Sequence, residues 1–423
     1  MGLHLFEAYG VELEYMVVDR ATLKVRPIVD QLLKDAAAKP GAVIEAEGDY
    51  PNQVELGPIA WSNELVLHVL EFKTALPAAD LSAQPALFQE HVREANRLLA
   101  PHDAMLMPTG MHPTMDPDSE MKLWPHDYGV VYATFNKIFD CRGHGWANLQ
   151  SAHFNLPFQG ADTPDSEFGR LHAAIRALLP IMPALTASTP FKDGAATGLM
   201  DTRLEVYRKN SARVPAAAGK VIPEPVFTAA DYDREILQAI YKAYEPCDPD
   251  GVLRYEWANS RGCIARFMRD AIEIRVLDVQ ECPIMDNALG AAIAAATRGI
   301  CDGTVGDLGA IQRLQVDPLH EILLAVIRDA DRAVIRDRDL LAALGVKSSS
   351  LTAMELWTDL IERSLKKQPD WPVWEPALRV SMEHGCLARR IQHATGASPS
   401  RDAIHTVYRE LAGCLEAGRP FIG

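Results

Sequence analysis

The stretch GVELEYMVVD, residues Gly10–Asp19, alternates like a β-strand but carries carboxylates at positions where a core strand is apolar. Successive side chains of a strand point to opposite faces of the sheet, so Glu12 and Glu14 share one face. Neighbouring carboxylates repel each other unless a positive group lies between them, and Mg²⁺ prefers oxygen ligands. The stretch therefore predicts a strand that presents two metal ligands. A solvated edge strand is the alternative, because Glu is mostly exposed in proteins.

Three further segments alternate in the same way, and each has one apolar face and one polar face. The polar positions are Gln53 and Glu55 in 53–56, Ser151, His153 and Asn155 in 149–156, and Glu273 and Arg275 in 271–278. Antiparallel sheets show this alternation when one face packs on the core. Arginine in such a row can bind phosphate or carboxylate through two parallel hydrogen bonds. The four segments together predict the floor of a cation-lined, anion-binding site.

The bulk composition is that of an ordinary globular protein, with 48% hydrophobic and 23% charged residues in a chain of 423. The formal net charge of −15 argues against non-specific binding to nucleic acid or to an anionic membrane. The seven cysteines have no C-x-x-C spacing, which favours free thiols in a reducing compartment. Because the sequence has no apolar signal segment and no apolar run of transmembrane length, we expect a cytoplasmic protein.

The order of strand-like and helix-like segments indicates an α+β fold and not alternating βαβ units. We expect a catalytic antiparallel-sheet domain at 1–300 and a helical C-terminal region at 301–423 packed on it. Residues 62–99 are predicted to be helical, and 189–225 form a long connection rich in Gly, Pro, Ala and charge. Shorter predicted elements are a strand at 43–47, a helix at 128–139 and a turn at 396–399. The chain has no P-loop and no G-x-S-x-G or H-E-x-x-H motif.

Five segments, in order over residues 10–280, resemble motifs of the carboxylate–amine ligase family related to the bacterial glutamate–cysteine ligases of the second type. They are GVELEYMVVDRATLKVRP (10–27), NQVEL (52–56), GMHP (110–113), ASTPF (187–191) followed by Gly194, Thr197-Gly198 and Arg203, and IEIRVLD (272–278). The chain departs from the family pattern at Asn155, where the family usually has the second histidine of a His-x-His strand. It also has Gly57-Pro58 where the family tends to have Asn-Thr-Gly.

The resemblance implies a glutamine-synthetase-like fold, in which a curved antiparallel sheet flanked by helices forms a funnel that holds divalent metals and ATP. It also implies that ATP and L-glutamate give a γ-glutamyl phosphate, which an amine attacks to form an amide. The expected cofactors are ATP and Mg²⁺, with Mn²⁺ as an alternative metal. The expected partners are small-molecule substrates, L-glutamate and an amine or amino acid, with no nucleic acid and no membrane. We expect a homo-oligomer only because closed symmetric oligomers are common.

Each candidate site residue has a role that its side-chain chemistry supports. The metal ligands are Glu12, Glu14, Glu55 and Glu273; Arg275 and Arg203 clamp phosphate or the α-carboxylate of glutamate; His153, Ser151, Arg266 and Arg269 contact the nucleotide. Phosphoryl transfer needs positioned charge more than covalent chemistry, which acids and arginines on rigid strands supply. The structural alternatives are an ion pair of Arg275 with a neighbouring acid and a core role for His153.

Two other functions fit the same residues. A small-molecule phosphotransferase on this fold would make ADP and a phosphorylated acceptor without an amide. A non-catalytic relative would bind a nucleotide or metabolite without turning it over. The intact set of acids together with Arg275 favours catalysis, although a fold resemblance alone does not establish activity.

Overall fold

The computed structural model describes residues 2–46, 48–126, 129–396 and 398–423. The strands are β1 (Gly10–Asp19), β2 (Val43–Glu45), β3 (Gln53–Leu56), β4 (Ile59–Asn63), β5 (Val69–Thr74), β6 (Ala104–Met107), β7 (Ser151–Pro157), β8 (Phe191–Lys192), β9 (Ala195–Ala196), β10 (Cys263–Arg266), β11 (Ala271–Asp278), β12 (Val334–Ile335) and β13 (Leu351–Thr352).

The α-helices connect these strands and make up most of the chain after β11. They are α1 (Val29–Ala37), α2 (Gln84–Leu99), α3 (Pro117–Glu120), α4 (Gly129–Phe139), α5 (His144–Ala147), α6 (Glu167–Leu178), α7 (Pro183–Thr186), α8 (Thr202–Asn210), α9 (Ala229–Tyr232), α10 (Gln238–Tyr244), α11 (Pro283–Cys301), α12 (Leu308–Gln312), α13 (Val316–Asp329), α14 (Arg338–Ala343), α15 (Ala353–Arg363), α16 (Trp371–His384), α17 (Leu387–Thr395) and α18 (Arg401–Ala417).

One large sheet organises the fold. Within the described residues it has nine strands in the order β10-β11-β7-β1-β5-β4-β3-β2, and β6 pairs with the far end of β1. All neighbouring strands in it run antiparallel. The predicted antiparallel sheet is therefore confirmed, and β1 lies near its middle between β7 and β5.

One face of the sheet packs on the main hydrophobic core. Val11, Leu13 and Tyr15 of β1 are fully buried there, as the period-two pattern predicts. The Ala-rich helix α11 runs through this core and packs against α2, α6 and α16. It approaches β7 so closely that a Cβ atom added at Gly290 would lie 1.9 Å from Cζ of Phe154. Glycine is required at this contact because no side chain fits between helix and strand.

The opposite face of the sheet is divided into an apolar part and a polar part. Met16 and Val18 lie on the same face as Glu12 and Glu14, but they belong to a second apolar cluster that includes Tyr408 of α18. Helices α17 and α18 cover this end of the face. Only the part around the two glutamates remains polar.

The predicted helix at 62–99 is wrong in its first half. Residues 59–63 and 69–74 form β4 and β5, and the helix begins only at Gln84. The apolar run from Leu65 to Leu70 has no clear period, and such runs fit a strand as well as a helix. Pairing of β5 with the central strand β1 decides the outcome.

Two other regions contain more structure than expected. The connection 189–225 contains helix α8 and the small β8–β9 hairpin, and the helical region after 318 contains the short β12–β13 pair.

The proposed boundary between 300 and 301 falls inside α11, and the two-part division stays a prediction. Predicted elements at Glu47, Tyr128 and Ala397 lie outside the described residues. Among those described, no helix is both long and apolar enough to cross a membrane.

Candidate active site

Two rows of side chains cross the polar part of the sheet. Residues that face each other on paired strands share one face, so the register places the rows directly. The first row is Arg275, His153, Glu12, Lys73 and Ala60; the second is Asp278, Ser151, Glu14, Glu71 and Ser62. The predicted site residues of β1, β7 and β11 are therefore brought together across three neighbouring strands.

His153 is the centre of this arrangement. Its Nδ1 lies 3.0 Å from Oε2 of Glu12, and its Nε2 lies 3.9 Å from Oε1 of Glu14. Two sets of groups lie within the reach of a single ion, with ligand atoms within 4.8 Å of one another: Glu12, His153 and Glu273, and Glu14, Glu71 and His153. The geometry thus offers oxygen and nitrogen donors of the kind that divalent cations bind.

Glu71 is a site residue that the sequence interpretation missed. It lies on β5 directly opposite Glu14, accepts a hydrogen bond from Ser62 Oγ at 2.6 Å, and pairs with Lys73 Nζ at 2.9 Å. The alternation of VLEFKT in 69–74 was the signal that could have found it, because Glu71 and Lys73 interrupt apolar neighbours at period two. The assignment of this segment to a helix concealed it.

The carboxylates of the site titrate unequally. Burial raises the pKa of Glu12, but the hydrogen bond from His153 and the charges of His153, Lys73 and Arg275 outweigh burial and lower it to about 2. Burial raises the pKa of Glu14 above its ordinary value. Burial and the nearby charges of Glu14 and Glu71 raise the pKa of Glu64, just after β4, well above the ordinary range. Negative charge is therefore in excess around Glu14.

The cations of the site lie mainly at the other side of the cluster. Arg266 of β10 and Arg275 of β11 both contact the carboxylate of Glu273, at 2.7 Å and 3.2 Å. The pKa of Lys73 is raised because the charges of Glu71 and Glu12 outweigh its burial. These contacts place positive groups beside the carboxylates and along the entrance to the site.

A cavity of about 610 Å³ opens beside Glu12. Lys73, Asn155 and Arg269 line it, together with backbone of the N-terminal segment and of the β10–β11 turn. Asn155 donates a hydrogen bond from Nδ2 to Oε1 of Glu12 at 3.1 Å, so it orients a carboxylate where a second histidine was expected. Of the predicted nucleotide contacts, Arg269 reaches this cavity.

Ser151 lies beside Glu14 and is half-buried. Its backbone N–H and its hydroxyl both donate to Oε2 of Glu14, at 2.7 Å and 3.1 Å. These contacts orient Glu14 within the cluster. The predicted contact of Ser151 with a nucleotide stays a prediction.

Glu55 continues the first row beyond Ala60 but does not join the cluster, and its assignment as a metal ligand stays a prediction. It lies on β3, three strands from β1, and is only half-buried. Its Oε1 accepts a hydrogen bond from Gln53 at 3.2 Å. The acidic strand next to β1 is β5, so Glu71, and not Glu55, lies directly opposite Glu14.

Arg203 is held among backbone groups, and its predicted role as a clamp for phosphate or carboxylate stays a prediction. It is 1% exposed, and its guanidinium donates to three backbone carbonyls and pairs with a buried acid. Its Nε and Nη2 are engaged by these contacts, whereas its Nη1 is buried without a hydrogen-bond partner among the described residues.

The antiparallel sheet with helices on its core face and a row of acids on the other defines the glutamine-synthetase-like class of folds. The fold is similar to that of the glutamate–cysteine ligase from Francisella tularensis solved in complex with AMP. The TM-score is 0.56 at 13% identity, and the match covers 96% of this chain and 88% of that one. The predicted fold class is thereby confirmed.

Residues 8–410 match the model of glutamate–cysteine ligase family 2. The chain belongs to this family. An uncharacterized protein from Archaeoglobus fulgidus is 32% identical over 414 residues, which cover 98% of this chain and all of that one. A putative glutamate–cysteine ligase 2-1 from Paenarthrobacter aurescens is 32% identical over 121 residues, or 29% of this chain and 27% of its own. Family membership supports a carboxylate–amine ligase.

Proposed function

We propose that the chain is an ATP-dependent ligase that joins the γ-carboxyl group of L-glutamate to an amine through a γ-glutamyl phosphate. The observation that carries this proposal is the convergence of Glu12, Glu14, Glu71 and Glu273 on His153, with Arg275 beside them. Acids of this number on one rigid face are what ATP-dependent phosphoryl transfer requires. The amine substrate is not assigned.

The donor set fits Mg²⁺, and also Mn²⁺. Glu12, Glu273 and His153 would hold one ion, and Glu14 and Glu71 would hold a second or share the first. The excess of negative charge at Glu14 and Glu64 supports this fit, because paired carboxylates in a buried position need a cation. A bound divalent ion supplies charge neutralisation at the phosphates.

The chain's own residues would divide the remaining work. Arg275 lies against the acids and would stabilise the negative charge that develops on the transferred phosphoryl group. Arg269 lines the cavity and would bind an anionic group of the nucleotide or of glutamate. His153 and Asn155 hold Glu12 by hydrogen bonds, which keeps that carboxylate oriented.

We also propose a cellular compartment and a class of substrate. All seven cysteines are free, which supports a reducing compartment such as the cytoplasm. The substrates would be small molecules, because the cavity of about 610 Å³ has the size of a small-molecule site. A closed homo-oligomer remains our expectation on general grounds.

The test is product formation by the purified chain with ATP, Mg²⁺, L-glutamate and pooled amino acids and amines. We expect glutamate-dependent phosphate release and a product with the mass of glutamate plus the amine minus water. The Glu12→Gln variant should lose at least about 100-fold in rate, because the change removes a charged metal ligand. Glu94→Gln is the matched control, since Glu94 is a largely buried acid between two cations away from this face.

Each contrary result has a definite meaning. ADP with a phosphorylated acceptor and no amide would favour the phosphotransferase. Nucleotide binding without turnover would favour the non-catalytic relative. Equal rates for the Glu12→Gln variant and the wild-type chain would rule out the acidic cluster as the active site.

A further inference from the structure

Strand β11 contains an irregularity beside the acidic cluster. Its pairing with β7 matches Ile274 with Phe154 and then Leu277 with Ala152, so Arg275 and Val276 together face His153. This is a β-bulge, a feature that re-aims side chains and is common next to active sites. Arg275 lies on the polar face beside Glu273, and it shares the position opposite His153 with Val276.

The bulge also changes which later residue reaches the polar face. Strict alternation from Glu273 through Arg275 would place Leu277 on this face. The extra residue shifts the phase by one, so Asp278 is paired with Ser151 and Leu277 turns toward the core. The bulge therefore brings an arginine and a buried aspartate to one face, three residues apart.

Arg203 holds the backbone of this bulge. Its Nη2 donates to the carbonyls of Arg275 and Leu277, at 3.0 Å and 2.8 Å, which flank Val276 on both sides. Its Nε donates to the carbonyl of Gln150 at 3.2 Å, on the segment leading into β7. Carbonyls at a bulge lose ladder partners, and a buried carbonyl without a partner is costly. One guanidinium thus satisfies three carbonyls from two strands.

Asp278 fixes Arg203 in turn. Its Oδ1 lies 3.1 Å from Nε of Arg203, and its Oδ2 accepts hydrogen bonds from Ser188 and Thr189 at 2.8–3.1 Å. The fit is tight, since a Cβ added at Gly110 would lie 2.6 Å from Cγ of Asp278. Both Arg203 and Asp278 are almost fully buried, so neither is available to a substrate.

We propose that Arg203, supported by Asp278, is a positioning residue that fixes the β11 bulge and thereby aims Arg275 at the carboxylate cluster. The expected effect on catalysis rests on the proposed function. The expected effect on the bulge rests only on the geometry of its hydrogen bonds. It also accounts for the separation of the two arginines: Arg275 acts at the site, and Arg203 acts through Arg275.

The catalytic arm of the test is a double-mutant cycle with Arg203→Lys and Arg275→Lys. Lysine at 203 keeps a charge for Asp278 but has no planar fork to bridge the carbonyls. We expect Arg203→Lys to lower kcat about 100-fold, the effect of a small misplacement. The KM values for ATP and glutamate should change less than about threefold, because ground-state binding is kept. The double variant should be no slower than Arg275→Lys alone, whereas independent effects would multiply.

The second arm does not depend on activity. Amide hydrogen exchange in residues 272–279 should become about tenfold faster in Arg203→Lys, because hydrogen bonds to the bulge are lost. Arg390→Lys is the matched control: Arg390 is equally buried and binds Glu281 and the carbonyl of Phe421 away from the acidic cluster. It should lower stability without changing exchange in 272–279.

The outcomes separate the two proposals. An inactive wild-type chain counts against the proposed function, and the exchange arm still decides whether Arg203 holds the bulge. Multiplying losses in an active enzyme, or unchanged exchange in Arg203→Lys, would overturn the positioning role.

Discussion

Glu14 and Glu71 lie directly opposite each other on the central strands β1 and β5, with both carboxylates almost fully buried. Like charges at opposed positions of a sheet destabilise it unless a cation lies between them. Lys73 contacts Glu71, whereas Glu14 is bound by the neutral Ser151 and lies at 3.9 Å from His153. We therefore expect repulsion within this pair to lower the stability of the metal-free chain, and the same two carboxylates to favour binding of a metal ion.

Replacing Glu71 with glutamine should have opposite effects on these two properties. The amide oxygen can still accept from Ser62 and Lys73, so we expect the metal-free chain to gain up to about 1 kcal/mol from the lost repulsion. The rise in Tm on adding Mg²⁺ should shrink, because a ligand that binds the folded state more weakly stabilises it less. Thermal unfolding with and without Mg²⁺ measures both. An unchanged Mg²⁺ shift would remove Glu71 from the metal site.

Replacing Glu55 with glutamine tests whether this residue acts as a metal ligand. Glu55 is half-buried and lies three strands from β1, so we expect Glu55→Gln to change the ligase rate by no more than about twofold, the range of ordinary surface substitutions. Steady-state rates at saturating Mg²⁺ and at limiting Mg²⁺ provide the measurement. A large rise in the Mg²⁺ requirement would restore Glu55 as a ligand and would require β3 to move toward β1.

Acid should destabilise the fold through buried histidines. Burial lowers the pKa of His68 to about 3 and the pKa values of His112 and His172 to about 4, from 6.5. Below pH 6.5 the unfolded chain therefore binds more protons at these histidines than the folded chain does. Their contribution to the free energy of unfolding is fully present above pH 6.5 and falls as the pH drops toward 4. Each group contributes about 1.4 kcal/mol per pH unit in that window.

Urea unfolding midpoints between pH 7.5 and pH 4.5 check this sign. The His172→Gln variant should show a smaller loss of stability per pH unit than the wild-type chain, whatever its stability at neutral pH. The exposed His393 provides the control substitution, His393→Gln. An equal loss of stability per pH unit in His172→Gln and in the wild-type chain would contradict the assigned direction.

The contact between α11 and β7 should not tolerate an added methyl group. A Cβ at position 290 would overlap the ring of Phe154, so Gly290→Ala should cost about 1–3 kcal/mol, as overpacked cores do. Because Phe154 adjoins His153, the variant should also slow the reaction. The smaller side chain of Phe154→Leu should restore stability when both changes are combined, and failure of this rescue would point to another cause. Chemical denaturation of the single and double variants measures the effect.

The elements that could be predicted from sequence are those with an undisturbed period. GVELEY and IEIRV alternate clearly, so these strands and the shared polar face of Glu12 and Glu14 could be predicted. Glu71 could not be predicted, because the apolar residues before β5 fit a helix as well as a strand. Its importance depends on pairing with β1, which is a non-local event.

The bulge in β11 is a second feature that the sequence pattern could not predict. A period-two reading places Asp278 on the core face, and only the pairing with β7 reveals the shift of one residue. Arg203 looked like a substrate clamp because a basic residue near an expected site usually binds an anion. Its true contacts are backbone carbonyls of residues 150, 275 and 277, which no local pattern encodes.

The position of β1 in the sheet has a consequence for how the protein is made. Strand β1 lies between β5, which follows it soon along the chain, and β7, which is synthesised much later; β11 is later still. Loop closure over such separations makes folding slow. Glu12 and Glu14 are therefore synthesised well before His153 and Arg275, the residues that later lie beside them in the sheet. We therefore expect the incomplete sheet to expose unpaired strand edges during synthesis.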